Sequence, residues 1–332
     1  MNLLFELSGE HPRLPRAEAA ALLALHDSRA RTLSGHRVWV AEAEVDEKTV
    51  ASMAERLALS YGVHVVLAAG TLESVTRDLE QMDLSPWTTF SIQGRRFHHG
   101  HSISRLKQHL GDVIRGRHGL EVDLESPDLP LFVVADDHLY LCRVLVPVDR
   151  AQFERRRPHH RAFSSPISLH PRLARALVNL SGVRPGQTLL DPFCGTGGIL
   201  IEAGLVGARV VGMDIKPELV EGCRANLAQY GITPAALYCG DATATILKEP
   251  ADVVVTDMPY GRSTYVGNSR TDLYHRAFQA LHRWLPPGGR AVVGLPDEQY
   301  IPSTQERFIR EDAYALRAHR SLTRHFCVLR RP

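Results

Sequence analysis

The rhythm of apolar and polar positions changes twice along the 332 residues. In the first 70, short apolar runs alternate with helical periodicity. Leu3 to Leu7, Val38 to Val45 and Val63 to Ala68 read as strands, and Ala17 to Leu25 and Thr49 to Leu59 as helices. Elements of that size, interleaved, predict a small α+β sandwich. A second unit has strand Thr88 to Gln93 and helix Ser102 to Ile114, with Ile103, Leu106, Leu110 and Val113 on one face. Strands Leu131 to Val134 and His138 to Val146 follow, joined by the hairpin-like turn Ala135-Asp136-Asp137. Residues 149–170 lose their apolar positions and read as a linker.

From Pro171 the alternation becomes strong. Helix Leu173 to Leu180, strand Thr188 to Asp191, helix Gly198 to Leu205 and strand Arg209 to Asp214 lead into helix Pro217 to Tyr230. Then come strands Ala236 to Cys239 and Asp252 to Asp257, helix Asp272 to Leu285 and strand Arg290 to Leu295. This pattern predicts a parallel sheet covered on both faces, which binds ligands at the carboxyl ends of its strands.

Composition adds exclusions. No apolar run approaches the roughly 18 residues of a membrane span. The start, Met1 to Leu7, lacks a cationic leader and carries Glu6, so the expectation is a cytoplasmic protein without a signal peptide. Five scattered cysteines without a C-x-x-C pair argue for reduced thiols, and no metal is expected. The formal charge of +2 conceals an uneven distribution. Arg95, Arg96, Arg105, Lys107, Arg115 and Arg117, with five histidines, face one nearby acid, Asp112. The linker adds Arg155, Arg156, Arg157 and Arg161, a natural phosphate-contacting strap because each cation near a phosphate releases counterions. The plainer alternative is a solvated basic face. The His98-His99-x-His101 cluster fits a polar or RNA-facing surface better than a metal site, since no cysteine completes it.

The chemistry sits on strand ends. Asp191-Pro192-Phe193-Cys194-Gly195-Thr196-Gly197-Gly198 is a tight glycine loop opening a helix, where backbone can approach a ligand closely. It lacks the full dinucleotide fingerprint and resembles the first motif of S-adenosylmethionine-dependent methyltransferases. Asp214, ending the next strand, is placed to accept from ribose hydroxyls, and Asp241 ends the third. The fourth ends in Asp257-Met258-Pro259-Tyr260, which resembles the [D/N]-P-P-Y motif of enzymes that alkylate an exocyclic amine of a base. Such an amine is a poor nucleophile because its lone pair is delocalised. Asp257 and the carbonyl of Met258 can accept its protons while Tyr260 stacks on the base. Met258 stands where the motif has proline, which keeps the carbonyl and reduces loop stiffness. Cys194 is read as a small buried residue, not a nucleophile.

Together these stretches resemble the archaeal-type THUMP-domain tRNA (guanine-10-N2)-methyltransferases. The likeness is carried by Phe153-Glu154-Arg155-Arg156-Arg157-Pro158, by Leu169 to Leu180, by the glycine loop through Glu202, by Asp257 to Ser263 and by His319 to Arg324. It implies a ferredoxin-like domain at 1–70, a THUMP RNA-binding domain at 71–148 and a basic linker at 149–170. Residues 171–332 would form a Rossmann-like class I methyltransferase domain with a mostly parallel seven-stranded sheet. The implied cofactor is S-adenosyl-L-methionine, held by Asp191, Pro192, Phe193, Gly195, Thr196, Gly197, Asp214, Ile215, Asp241, Ala242 and Asp257. The implied catalytic residues are Asp257, Met258, Pro259 and Tyr260, acting on tRNA in a monomeric enzyme that adds one or two methyl groups. The alternatives are methylation at position 6, an adenine-N6 DNA methyltransferase, and a catalytically silent RNA-binding protein.

Overall fold

The computed structural model describes residues 1–27, 29–35, 38–97, 102–165, 168–247, 250–259, 270–301, 307–319 and 322–332. The chain divides into two compact units. The first comprises Met1–Glu10, His26–Glu55 and Ser60–Asp149, and the second His11–Leu25, Arg56–Leu59 and Arg150–Pro332.

Along the first 149 residues run β1 (Asn2–Leu7), α1 (Leu14–Leu23), β2 (Arg31–Gly35), β3 (Val38–Glu42), α2 (Glu47–Arg56), β4 (Ser60–Gly70) and α3 (Leu72–Gln81). After them come β5 (Thr89–Arg96), α4 (Ile103–Val113), β6 (Glu121–Val122), β7 (Leu129–Ala135) and β8 (Leu139–Pro147). All eight strands join one sheet in the order β2-β3-β1-β4-β8-β7-β5-β6, so residues assigned by sequence to separate modules at 1–70 and 71–148 share a single sheet. β4 and β8 pair antiparallel across that boundary. Thr71 caps α3 by accepting from Ser74 N, and Ser102 caps α4 by accepting from Arg105 N. Val75 and Leu79 of α3 and Leu106 and Leu110 of α4 pack into one core with Phe90, Leu131, Val133 and Leu141 of the sheet. β5 and β7 run parallel, which requires a crossover, and α4 provides it.

Helix α1 belongs to the second unit, with residues 56–59. Leu14, Ala58 and Leu59 share a core with Leu177 and Leu180. Inside it Glu18, fully buried, accepts from Ala58 N, Leu59 N and Asn179 Nδ2 at 3.0, 2.8 and 2.8 Å. Burial pushes its carboxyl up to about 7 against these donors.

The rest of this unit runs α5 (Ala151–Glu154), α6 (Pro171–Leu180), β9 (Thr188–Asp191), α7 (Gly198–Leu205), β10 (Arg209–Asp214), α8 (Pro217–Gln229) and β11 (Ala236–Cys239). It ends with β12 (Val253–Asp257), α9 (Arg270–Trp284), β13 (Arg290–Leu295), β14 (Ile309–His319) and β15 (Leu322–Arg330). Their sheet has the order β11-β10-β9-β12-β13-β15-β14. The first five strands are parallel, and β15 and β14 close the sheet antiparallel. The central parallel strands β9, β12 and β13 are the Val- and Leu-rich runs that burial on both faces demands, while β11 lies at the edge and is only half-buried.

The linker departs from its expected role. Arg156 and Arg161 are only 9% and 6% exposed, so neither offers its charge to an external phosphate. Arg156 grips Glu202 of α7 with Nε at 2.8 Å and Nη2 at 3.0 Å, while Arg175 of α6 reaches the same carboxylate at 2.9 Å. Arg161 Nε donates to the carbonyl of Arg156 at 3.1 Å. A carboxylate inside the apolar run Gly198-Ile199-Leu200-Ile201-Glu202 must be paired to be buried, and the linker supplies the cation.

Candidate active site

The strand order reverses between β9 and β12, so their connections leave the sheet on opposite faces and a crevice opens at the strands' carboxyl ends. The loop after β9 crosses that edge with Gly195 and Gly197 at φ +50° and +83°, backbone that a side chain resists. A Cβ at Gly197 would also strike Cys223 Sγ at 2.6 Å. A Cβ at Gly195 would meet nothing within 4 Å, so the loop backbone is open there to a close ligand.

Each strand end fixes an acid. Asp214 accepts from Gly195 N and Lys216 N, both at 3.0 Å, and so holds the glycine loop against β10. Asp191 accepts from Thr256 Oγ1 at 2.6 Å and Phe193 N at 3.2 Å, tying β9 to β12. Burial raises its carboxyl to about 7 despite the Thr256 bond, and the nearby charges of Asp257 and Asp214 act in the same direction. Asp241 accepts from the Thr243 backbone and hydroxyl, both at 2.8 Å, and Thr243 in turn accepts from Arg276 at 3.1 Å. Beside these lie buried Pro192, Thr196 and Ala242, half-buried Phe193, and Ile215, which is 58% exposed and offers an apolar surface next to Asp214. Open backbone, a carboxylate and a bare aliphatic face on adjoining strand ends fit the amino-acid, ribose and purine parts of S-adenosylmethionine.

Asp257 ends β12. Its side chain is 16% exposed and lies 3.4 Å from Arg324 Nη1 on β15. Burial pushes its carboxyl up to about 7, opposed by the Arg324 charge. Met258 N donates to Gly294 O at 3.0 Å, and the Met258 side chain is fully buried in the apolar cluster around Tyr274. The Tyr274 hydroxyl donates to Pro259 O at 2.8 Å. Loop stiffness that a proline at 258 would give is thus supplied by packing and by this anchor. Tyr260, Gly261, Arg262 and Ser263 lie outside the described residues, as do His98, His99 and His101.

Sequence reasoning missed several contributors. Ser168 and Thr196 hydroxyls meet at 3.5 Å, and Asn226 of α8 donates to Thr196 O at 2.9 Å, bracing the glycine loop from behind. Arg324 and Gly294 touch Asp257 only through the register of β13 and β15, which no local pattern announces. Of the expected RNA contacts, Arg96, Arg105, Lys107, Arg155 and Arg157 are exposed. Arg95 lies 4.6 Å from the Tyr61 ring centre and pairs with Glu6 at 2.5 Å, and Arg157 pairs with Glu154 at 2.6 Å. Among the described residues no group of three or more His, Cys, Asp or Glu side chains could hold a metal ion, and no helix is long and apolar enough to cross a membrane.

Comparison with known proteins agrees with this architecture. The RMKL-like methyltransferase domain family matches residues 158–325, and the THUMP domain matches 70–142. A protein of Methanothermobacter thermautotrophicus named tRNA (guanine(10)-N2)-dimethyltransferase is 37% identical over all of both chains. Its namesake in Pyrococcus abyssi is 31% identical over 98% of each. The crystal structure of TrmN from Thermus thermophilus covers the whole of both chains with a TM-score of 0.56 at 22% identity, a likeness of fold. The reversed strand order, the acids on its strand ends and full-length identity above 30% place the chain in the THUMP-domain tRNA (guanine(10)-N2)-dimethyltransferase family, whose catalytic half has the class I S-adenosylmethionine-dependent methyltransferase fold.

Proposed function

We propose that this protein transfers methyl groups from S-adenosylmethionine to N2 of guanosine 10 in tRNA, in the cytoplasm and as a monomer. The observation that carries this reading is the Asp257 carboxylate at the end of β12, beside the crevice and backed by the Met258 and Pro259 anchors. The full-length similarity to proteins named for position 10 favours that nucleotide over position 6.

Gly195, Gly197, Asp214, Ile215, Asp241 and Ala242 would hold the cofactor, with Asp191, Pro192, Phe193 and Thr196 shaping its loop. When bound, the cofactor supplies an electrophilic methyl group on a positively charged sulfur. Asp257 accepts a hydrogen bond from one N2 proton and so orients the amine for attack. The bound cofactor would supply the methyl carbon to N2 and take the leaving electron pair on its sulfur. The proton lost from N2 passes to Asp257, which must be ionised to take it. Tyr260 stacks on the base. We read residues 71–148 as the module that grips tRNA, with Arg96, Arg105, Lys107, Arg155 and Arg157 as phosphate contacts.

The test is methylation of unmodified tRNA transcript with labelled cofactor, followed by nucleotide mapping. Label is expected as N2-methylguanosine at position 10 and is abolished by Asp257→Ala. Label at position 6 or in N6-methyladenosine would overturn the reading, and so would an absence of transfer.

A further inference from the structure

We propose that Arg324 is a positioning residue that keeps the Asp257 carboxylate charged and aimed while a base fills the crevice. The inference rests on the reading of Asp257 as the acceptor of the N2 proton.

Asp257 is poorly placed to stay ionised. It lies at the carboxyl end of a buried strand, where burial raises its proton affinity, and its own charge adds to that of Asp214 of β10 in raising the neighbouring Asp191 of β9. From β13 it meets Gly294, which carries no charge, and Tyr274 of α9 contributes a hydroxyl already donated to Pro259 O. His325, next to Arg324, is engaged with Glu298 at 3.2 Å. Among the described residues around Asp257, Arg324 is therefore the cation in contact, with Nη1 3.4 Å from Oδ2 and its own side chain only 12% exposed. A docked guanine removes the remaining water from this carboxylate and drives its proton affinity higher, away from the form that accepts a proton. A guanidinium is suited to oppose this, because it holds its charge at any working pH. Register explains how the pair arises: β13 lies between β12 and β15, with Asp257 opposite Gly294 and Gly294 opposite Phe326. A glycine at 294 leaves the gap across which Arg324, two residues before Phe326, reaches Asp257.

The experiment is the pH dependence of single-turnover methyl transfer at saturating tRNA and cofactor, from pH 5.5 to 9, for native protein and five variants. In Arg324→Met the acid limb should move up by at least about one pH unit, the usual scale of an arginine beside an aspartate. The rate at pH 7 should drop about fivefold or more and recover toward pH 9. Arg324→Lys should return the limb close to its native position. Arg324→Gln should behave as the methionine variant and replaces it if that one does not fold. Asp257→Asn keeps an acceptor oxygen but cannot take the proton, so any residual transfer should be slow and without an acid limb. A purely structural role for Arg324 would lower the rate equally at every pH. A native limb in folded Arg324→Met or Arg324→Gln overturns the proposal, as does a limb that persists in Asp257→Asn. If Asp257→Ala retains activity, the reading of Asp257 itself fails. If Asp257→Ala is inactive while the arginine variants titrate as native, only the role of Arg324 fails.

Discussion

Gly294→Ala adds one methyl group and should silence the enzyme while leaving it folded. A Cβ at this position would sit 2.8 Å from Phe326 Cε1 and 3.2 Å from the Asp257 carboxyl carbon, and closer still to Oδ1. Ordinary contact begins near 3.4 Å, so the carboxylate must retreat. Its rear is closed by β13 and its flank by Arg324, which leaves rotation out of line as the available movement. A displacement approaching 1 Å at a reacting group costs on the order of 10²-fold in rate. Overpacking costs about 1–3 kcal/mol in stability, a few degrees in Tm for a unit of this size. The two effects can be separated, because Phe326→Leu in the same chain relieves the ring and not the carboxylate. The double variant should regain much of its Tm and none of its kcat, with KM for tRNA near native in both. The assays are steady-state methylation of transcript tRNA and thermal unfolding. A folded Gly294→Ala protein with kcat within threefold of native would refute the claim that this glycine seats an Asp257 carboxylate on which turnover depends.

Native activity should fall about tenfold for each pH unit below about 7, because burial holds Asp257 near that value and only the ionised form accepts a proton; a rate flat from pH 8 to 6 contradicts it. Glu18, Asp191 and Asp257 all bind their protons more tightly folded than unfolded. Their contribution to stability is therefore present in full below about pH 4 and is lost as pH rises through about 7. Glu18→Gln should flatten that slope in denaturant titrations across pH 4 to 7.5, and an unchanged slope would remove Glu18 from the account. Arg156→Ala should destabilise by less than the about 3–5 kcal/mol of a fully stranded buried charge, because Arg175 still pairs with Glu202, with unaltered tRNA affinity at temperatures where it is folded. Arg105→Ala and Lys107→Ala should do the reverse, leaving Tm unchanged while weakening tRNA binding and lowering its salt slope by about one for each cation removed from a phosphate.

The catalytic sheet was the most legible part of the chain. β9, β10, β11 and β13 coincide with their sequence-predicted limits; β9 and β13 are written as the apolar runs of strands buried on both faces, and β10 and the edge strand β11 are bounded by the acid Asp214 and by Gly240. Strand β2, Arg31-Thr32-Leu33-Ser34-Gly35, escaped notice because an edge strand paired on one side needs no apolar run. Helix α3 has a buried stripe of only Val75 and Leu79, too narrow to stand out from its charged face. Charge was the least legible quantity. Counting arginines in the linker could not reveal that Glu202, far along the chain, claims Arg156 and Arg175. The signal was present as an acid inside an apolar helix, which needs a buried cation from somewhere. Gly294 and Arg324 acquire meaning only once three strands are in register beside the motif.

The excursion of α1 and residues 56–59 into the catalytic unit means that the chain crosses between its two units five times, the last time at residue 150. The helix leaves the ribosome early, yet Asn179, which donates to Glu18, is made more than a hundred residues later. Throughout that interval the half-buried and buried face of α1 has no final partner, so the catalytic half cannot complete its core until most of the protein has been made. Inheritance is constrained in the same way. A single crossover near residue 149 would deliver a methyltransferase domain missing its own first helix, so the two halves are bound to travel, and to diverge, as one gene.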